Sequence, residues 1–295
     1  MLLIIGSTIL VACIIRSIWL SYRPISFSGK TVWITGASSG IGEYLAYEFH
    51  RLGAFVILSG RNEIELERVH SALKNSEIFK FDLSDSSTVV QNSKQILNKH
   101  KVDILINNAG ISQRSFFCDT LDNINNERTL MEINYFSVVG LTKAFVKSLE
   151  GRAGTVVVVS STAGMLPAIP ASGYAASKCG IIGYYEAISA ELKELSVNVV
   201  ILAPGFISTN LTMNALDSKG KKLGILDPRN KNGIKPEDFA RIAVRGIANG
   251  EKKILVTQKL ILLFYYIRSI FPTFSSLLIR RMALKVAKNI LKKDS

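Results

Sequence analysis

Cysteine and histidine are scarce in this sequence, three of each among 295 residues. Cys13, Cys118 and Cys179 are too few and too scattered for a disulfide framework or a zinc site, and they read as reduced thiols. His50, His70 and His100 each fall in a helical pattern without a partner at metal-ligand spacing, so no metal is expected. Acidic residues run short in one region only. Residues 1–218 carry 18 basic and 18 acidic side chains, whereas residues 219–295 carry 18 basic against 5 acidic, which places the net charge of +13 in the last quarter. A nucleic-acid surface is one reading of such a segment. Its basic residues, however, alternate with the apolar runs Leu260–Ile267 and Phe271–Ile279, which suits an anionic membrane better, and no nucleic-acid partner is expected.

Long hydrophobic runs are missing too. The uncharged start, Met1 to Ile15, gives about 21 Å of helix, short of a ~30 Å hydrocarbon core. Carried on to Tyr22, with Arg16 snorkelling and Trp19 and Tyr22 at the interface, the helix reaches about 31 Å. A cleaved signal peptide would want a basic start and a small-residue cleavage site, and neither is there. Residues 1–22 are therefore expected to anchor the chain in a membrane. The tail Lys259–Ile279 is interrupted by Lys259, Arg268 and Pro272 and reads as a hairpin on the membrane or over a ligand mouth, and residues 280–295 read as a basic amphipathic helix.

Between these ends, short β-branched runs alternate with amphipathic stretches and no repeat is visible. Strands are expected at Thr31–Thr35, Phe55–Ser59, Ile78–Asp82, Ile104–Asn107, Thr155–Ser160, Val197–Leu202 and Ile254–Val256. Helices are expected near 41–52, 62–74, 86–100, 122–149, 173–194 and 236–249. Buried runs such as Val156–Val159 call for a parallel sheet covered on both faces. The expected fold is a doubly wound, Rossmann-type α/β domain over residues 29–257, with about seven mostly parallel strands. Ligands bind such sheets at the carboxyl ends of the strands.

The first strand runs into Thr35-Gly-Ala-Ser-Ser-Gly-Ile-Gly42. Gly36, Gly40 and Gly42 suit a tight turn, close backbone approach to a pyrophosphate and helix packing on the sheet, while the following helix N-terminus favours phosphate. The spacing is neither the common dinucleotide fingerprint nor a nucleotide P-loop. After the second strand stands Ser59-Gly60-Arg61, where an acidic residue would select NAD(H) and an arginine accommodates the 2′-phosphate of NADP(H). Arg61 therefore favours NADP(H). Asp82 follows the third strand and suits either the adenine edge or a helix cap.

Tyr174 and Lys178 are spaced to share a helix face. A free phenol near pKa 10 is a poor acid or base at neutral pH, and a neighbouring ammonium favours its ionised form. A Tyr-x-x-x-Lys pair arises easily by accident, so its company matters. Ser161 closes the Val-rich strand where its hydroxyl could hold a substrate oxygen. Asn134 lies in the 122–149 helix, where its amide could bind a water linked to Lys178. Asn107-Asn108-Ala109-Gly110 and Pro204-Gly205 end two further strands.

In order and spacing, these motifs together resemble the short-chain dehydrogenase/reductase superfamily, over roughly residues 29–257. The apolar N-terminus, Glu43 after the glycine turn and the stretch Asn107–Ser115 are most similar to its membrane-associated dehydrogenase/reductase member 7 group, which is related to the 11β-hydroxysteroid dehydrogenases. The resemblance implies that Tyr174 is the acid/base, that Lys178 lowers its pKa and binds the nicotinamide ribose, that Ser161 orients substrate and that Asn134 completes a proton relay. It also implies cofactor contacts from Ser38, Ser39, Ile41, Asn108 and Thr209. The implied activity is hydride exchange between NADP(H) and a lipophilic alcohol or ketone of steroid, retinoid or xenobiotic type. A low-turnover NADP(H)-binding scaffold or redox sensor is the alternative, and the intact tetrad speaks against it.

Phe116, Phe117, Met165, Leu166 and Ile169 would flank an apolar substrate, and Phe206–Lys235 reads as either a substrate lid or a solvated loop. The ending Lys292-Lys293-Asp294-Ser295 resembles a dilysine retrieval signal, which with residues 258–295 as a membrane-associating extension implies the endoplasmic reticulum membrane and a cytosolic catalytic domain. A homodimer or homotetramer, through the helices near 122–149 and 173–194, is what the resemblance implies for assembly.

Overall fold

The structure, a computed structural model, describes residues 22–275 together with 277 and 284. Seven strands form one all-parallel sheet: β1 (Thr31–Thr35), β2 (Phe55–Gly60), β3 (Ser76–Lys80), β4 (Ile104–Asn107), β5 (Gly154–Val159), β6 (Val197–Pro204) and β7 (Lys253–Val256). Their order, β3-β2-β1-β4-β5-β6-β7, reverses direction between β1 and β4. Connections leaving those two neighbours run to opposite faces, so a crevice opens above their carboxyl ends.

Helices α1 (Gly40–Arg51), α2 (Glu63–Ser71), α3 (Ser86–Lys99), α4 (Asn125–Met131), α5 (Ser137–Ser148), α6 (Ser172–Glu194), α7 (Pro228–Lys231), α8 (Pro236–Ala248) and α9 (Lys259–Ile270) surround the sheet. Strand alternation divides the core in two. Val32 and Ile34 of β1 and Val200 and Leu202 of β6 join Leu45, Phe49, Phe239 and Val244 on one face. Trp33, Val199 and Ile201 join Leu105, Val156, Phe145 and Tyr185 on the other. Inward residues of both parities explain why these strands read as unbroken apolar runs. The indole of Trp33, fully buried, donates to Ser59 Oγ at 2.8 Å, which removes the cost of burying its N–H.

Most elements lie within a residue or two of their expected ends, and two differ for physical reasons. The third strand occupies Ser76–Lys80 and not Ile78–Asp82. Pairing with β2 sets its register from Val56↔Ser76, after which the chain turns so that Phe81 packs edge-on against Trp33, 5.7 Å between ring centroids. The expected helix over 122–149 is split by a π turn at Glu132–Phe136 between α4 and α5. Such a turn inserts an extra residue into a helix and is frequent at functional sites. Here it carries Asn134.

The expected anchor, residues 1–22, lies outside the described residues except for Tyr22, and the expected basic helix over 280–295 lies outside them except for Leu284. Lys259–Ile270 forms one helix with no buried residue, and it ends at Phe271, before Pro272. Among the described residues no helix is long and apolar enough to cross a membrane. His70 bonds Ser76 Oγ and His100 stacks on Phe55 beside Glu77, so both serve packing. Cys118 and Cys179 are free and exposed.

The ring of Phe145 is fully buried beneath β4 and β5. Phe145→Ala is expected to cost about 3–5 kcal/mol, seen as a lower urea midpoint with an unchanged slope.

Candidate active site

The site grows out of the joint between β1 and β4. Gly36 and Gly40 take positive φ (65° and 57°), a backbone conformation that L side chains rarely adopt. A Cβ on Gly42 would lie 2.2 Å from Gly36 O and 2.5 Å from Asn108 Nδ2, so the turn closes only around a bare glycine. Asn108 fastens it, donating from Nδ2 to Thr35 O (2.9 Å) and Gly36 O (3.1 Å). Thr209 reaches the same turn, its Cγ2 3.1 Å from the Cβ position of Gly40. Ser39 stands at the N-cap of α1 without a side-chain cap, so the leading amides of that helix face the turn uncovered by it. These features match a phosphate cradle: bare backbone, helix-end amides and small hydroxyl side chains.

Gly60, at the end of β2, stands beside the turn: its Cβ position is 3.5 Å from Ser38 Oγ. Arg61 follows it, exposed. Asp82, also exposed, accepts from Ser84 N at 2.9 Å. The helix-cap role open to it goes to Asp85, whose side chain accepts from Ser87 N. The nearby Arg68 is committed elsewhere, bridging Glu43 and Glu65.

The catalytic candidates come from three directions. Ser161 leaves β5, accepts from Ala163 N at 3.1 Å and directs its own hydroxyl to Pro204 O at a long 3.5 Å. Tyr174 and Lys178 occupy the first turns of α6, both buried. Burial raises the phenol of Tyr174 above the usual tyrosine range, while the neighbouring Ser161 hydroxyl and the positive charge of Arg114 pull it back. Burial lowers Lys178 to about 8. Its Nζ donates to Val159 O at 2.8 Å and sits 5.9 Å from the centroid of the Tyr174 ring. Tyr174, Ser161 and Lys178 are therefore brought together, as their spacing suggested.

Asn134 arrives from the π turn, fully buried, and here the arrangement differs from expectation. Its Oδ1 accepts from Ile111 N (2.9 Å), and its Nδ2 donates to Ile111 O (2.9 Å) and Ser177 Oγ (3.0 Å). Protein fills three of its four hydrogen-bonding positions, leaving one lone pair on Oδ1 for any water. Its first work is to clamp the chain beyond β4 against α6. Gly110 lies in that clamp, its Cβ position 3.0 Å from Asn134 Oδ1 and 3.3 Å from Lys178 Nζ.

The flanking apolar residues divide. Met165 packs against the core, Leu166 and Ile169 are half-buried, and Phe117 is largely exposed. The segment 206–235 is no solvated loop. Leu216 pairs with the chain at 112–114, Asn126 Nδ2 donates to Asp217 O at 2.7 Å, and Asp227 is buried. Sequence reasoning gives no role to Arg114, or to Asp227 and Arg229 of this segment, which meet it. Asp227-Pro228 shows only a helix-start signature, and that accounts for Asp227 as a cap.

Residues 30–220 match the family model described as short chain dehydrogenase. The chain is 35% identical to dehydrogenase/reductase SDR family member 7B of Danio rerio, over 98% of this chain and 95% of that protein. Among solved structures, a short chain dehydrogenase/reductase from Burkholderia phymatum in complex with NAD superposes with a TM-score of 0.74 at 22% identity, over 85% of this chain and 96% of the other. A putative NAD(P) dependent gluconate 5-dehydrogenase from Beutenbergia cavernae with bound NADP gives 0.68 at 25% identity, over 79% and 96%.

Lys178 titrates near 8 when folded, against an ordinary 10.5. The unfolded chain then binds more protons between these values, so burying this ammonium destabilises the fold below pH 8 and that cost fades as pH rises to 10.5. Compared with Lys178→Met, the wild type is expected to gain on the order of 3 kcal/mol of unfolding free energy over that window. A difference between the two urea midpoints that stays flat with pH would contradict a desolvated ammonium.

Proposed function

The chain belongs to the short chain dehydrogenase family, and on that premise we propose that it exchanges hydride between NADP(H) and a lipophilic carbonyl–alcohol pair at a membrane surface. It is an NAD(P)-dependent oxidoreductase, in line with its relatives and structural neighbours. The observation that carries the finer reading is the meeting of Tyr174 and Lys178 of α6 with Ser161 from the end of β5, at the carboxyl end of the sheet.

When bound, the nicotinamide cofactor supplies or accepts the hydride at the substrate carbon. The chain manages the oxygen. Tyr174 gives its phenolic proton to the carbonyl oxygen during reduction and takes one from the alcohol during oxidation. Ser161 holds that oxygen, because its bond to Pro204 O is long enough to be exchanged for a better acceptor. Lys178 is fastened by one proton to Val159 and has two more for ribose hydroxyls and for keeping the region positive. Asn134 keeps Gly110 and Ile111 in place beside it, and its remaining lone pair is the point where a relay water would attach. Gly36, Ser38, Ser39, Gly40, Ile41, Gly42, Asn108 and Thr209 would hold the pyrophosphate and nearby ribose, with Asp82 toward the adenine.

Preference for NADP(H) rests on Arg61 and the Ser38 hydroxyl flanking one spot beside the turn, where a 2′-phosphate would find a cation and a donor. A lipophilic substrate and a membrane location are supported by α9. Leu260, Leu263, Tyr266 and Ile270 are exposed on it, with Lys259 and Arg268 on the same helix, a composition suited to an anionic bilayer surface. Gln258, at its start, bonds both Phe206 N and Phe206 O, so this apolar helix adjoins the chain leaving β6 toward the site. Endoplasmic reticulum residence rests on the dilysine-like ending.

The test is NADPH and NADH oxidation by the detergent-solubilised full chain with steroid, retinal and quinone carbonyls. Tyr174→Phe is expected to lose about 10²–10⁴-fold in rate while still binding cofactor. Full turnover by that variant would remove Tyr174 from the mechanism. Arg61→Asp is expected to move the preference from NADPH toward NADH, and an unchanged ratio would show that Arg61 does not meet the 2′-phosphate.

A further inference from the structure

The chain beyond β4 brings a second cation to Tyr174. Gln113 Oε1 accepts from Gly173 N at 2.9 Å and Ser115 N donates to Pro170 O at 2.9 Å, so residues 113–115 are bound to the chain just before Tyr174. Arg114 lies between these two contacts. Its side chain is nearly buried, with NH1 donating to Ser112 Oγ and Gln113 O, while Nε has no hydrogen-bond partner among the described residues. That Nε stands 3.9 Å from Asp227 Oδ2.

Asp227 belongs to the 206–235 segment. Arg229 grips it from Nε and NH2 (3.0 and 2.7 Å) and lies over the Phe206 ring, 4.6 Å from its centroid. Burial works to raise the Asp227 carboxyl, but the hydrogen bonds and charge of Arg229, with the charge of Arg114, hold it below the usual carboxylate range. Two guanidinium groups thus share one carboxylate, leaving a positive balance beside the phenol. The same segment fixes the main chain of Arg114: Leu216 N donates to Ser112 O and Arg114 N donates to Leu216 O, both at 2.8 Å.

We infer that Arg114 is a positioning residue that sets the charge felt by Tyr174 and is held in place by the 206–235 segment, so that seating this segment is coupled to proton transfer. The inference rests on the reading of Tyr174 as the acid/base. Charged groups face Tyr174 from several elements: Lys178 from α6 itself, Arg114 from the chain after β4, Asp227 and Arg229 behind it, and Glu127 from α4. The Cγ of Glu127 is 3.3 Å from the Cβ position of Gly173. Of these, Arg114 stands outside the 206–235 segment yet is held by it, through Asp227 and Leu216. Its positive charge favours the phenolate, opposing the burial that raises the Tyr174 phenol.

The charges make opposite predictions for two variants. In the NADP⁺-bound full chain, ultraviolet tyrosinate titration with Tyr174→Phe as reference isolates the ionisation of Tyr174. Arg114→Met is expected to move that midpoint to higher pH, Asp227→Asn to lower pH, and Arg114→Lys to leave it near the wild type. A merely structural role would lower activity without giving the two variants opposite signs. Midpoints unmoved, or moved the same way by Arg114→Met and Asp227→Asn, would overturn the inference. Should one of them fail to fold, the other decides with Arg114→Lys as its charge-conserving control. Normal turnover by Tyr174→Phe would instead sink the acid/base reading beneath it.

Discussion

The joint between β1 and β4 sets the position of everything at the carboxyl edge of the sheet. Thr35 Oγ1 accepts from the amides of Asn108 and Ala109, while the Asn108 side chain returns two bonds to Thr35 and Gly36. This lock registers the glycine turn against the β4 exit. From that exit the chain continues to Gly110 and Ile111, held by Asn134, and then to residues 113–115, held against α6. One short stretch therefore touches the cofactor turn, the π turn, the start of α6 and the 206–235 segment. Displacing it would misplace all four.

Several groups at this site are costly to fold. Lys178, Asn134 and Asp227 are buried, and Arg114 nearly so. Buried ions and amides are tolerated only when most of their hydrogen bonds are satisfied. Here they mostly are, through Val159 O, the Ile111 main chain and Arg229. The unpartnered Nε of Arg114, the long bond of Ser161 and Lys178, which gives one proton to Val159 O, are among the incomplete places. Such local losses of stability are what the site proposed for this family member would need.

Much of this was legible in the residues. Strands β1 and β4 were readable to the residue because β-branched runs and bounding turns leave little freedom. Tyr174, Lys178 and Ser161 could be found because one is a helical pair and the other ends a Val-rich strand. The third strand was placed two residues late, since Phe81 looks like strand continuation until its packing on Trp33 is seen. The π turn at Glu132–Phe136 was invisible, because an apolar period of 3.6 continues on both sides of the extra residue. That Asn134 also clamps the chain beyond β4 was not legible, because its partner, Ile111, is 23 residues away.

The sequence by itself determined the alternation of strands and helices, the bare-backbone turn at Gly36–Gly42 and the shared helix face of Tyr174 and Lys178. All of these depend on neighbours within one turn or one strand, where side-chain type and spacing dictate geometry. Only the tertiary structure decided that Arg114 meets Asp227 and Arg229 of the 206–235 segment and that its stretch of chain is bound beside the start of α6. Charge interactions fall off with distance in space, not along the chain. Arg114 and Asp227, more than a hundred residues apart in sequence, become neighbours only when the β4 exit and the later segment pair through Leu216.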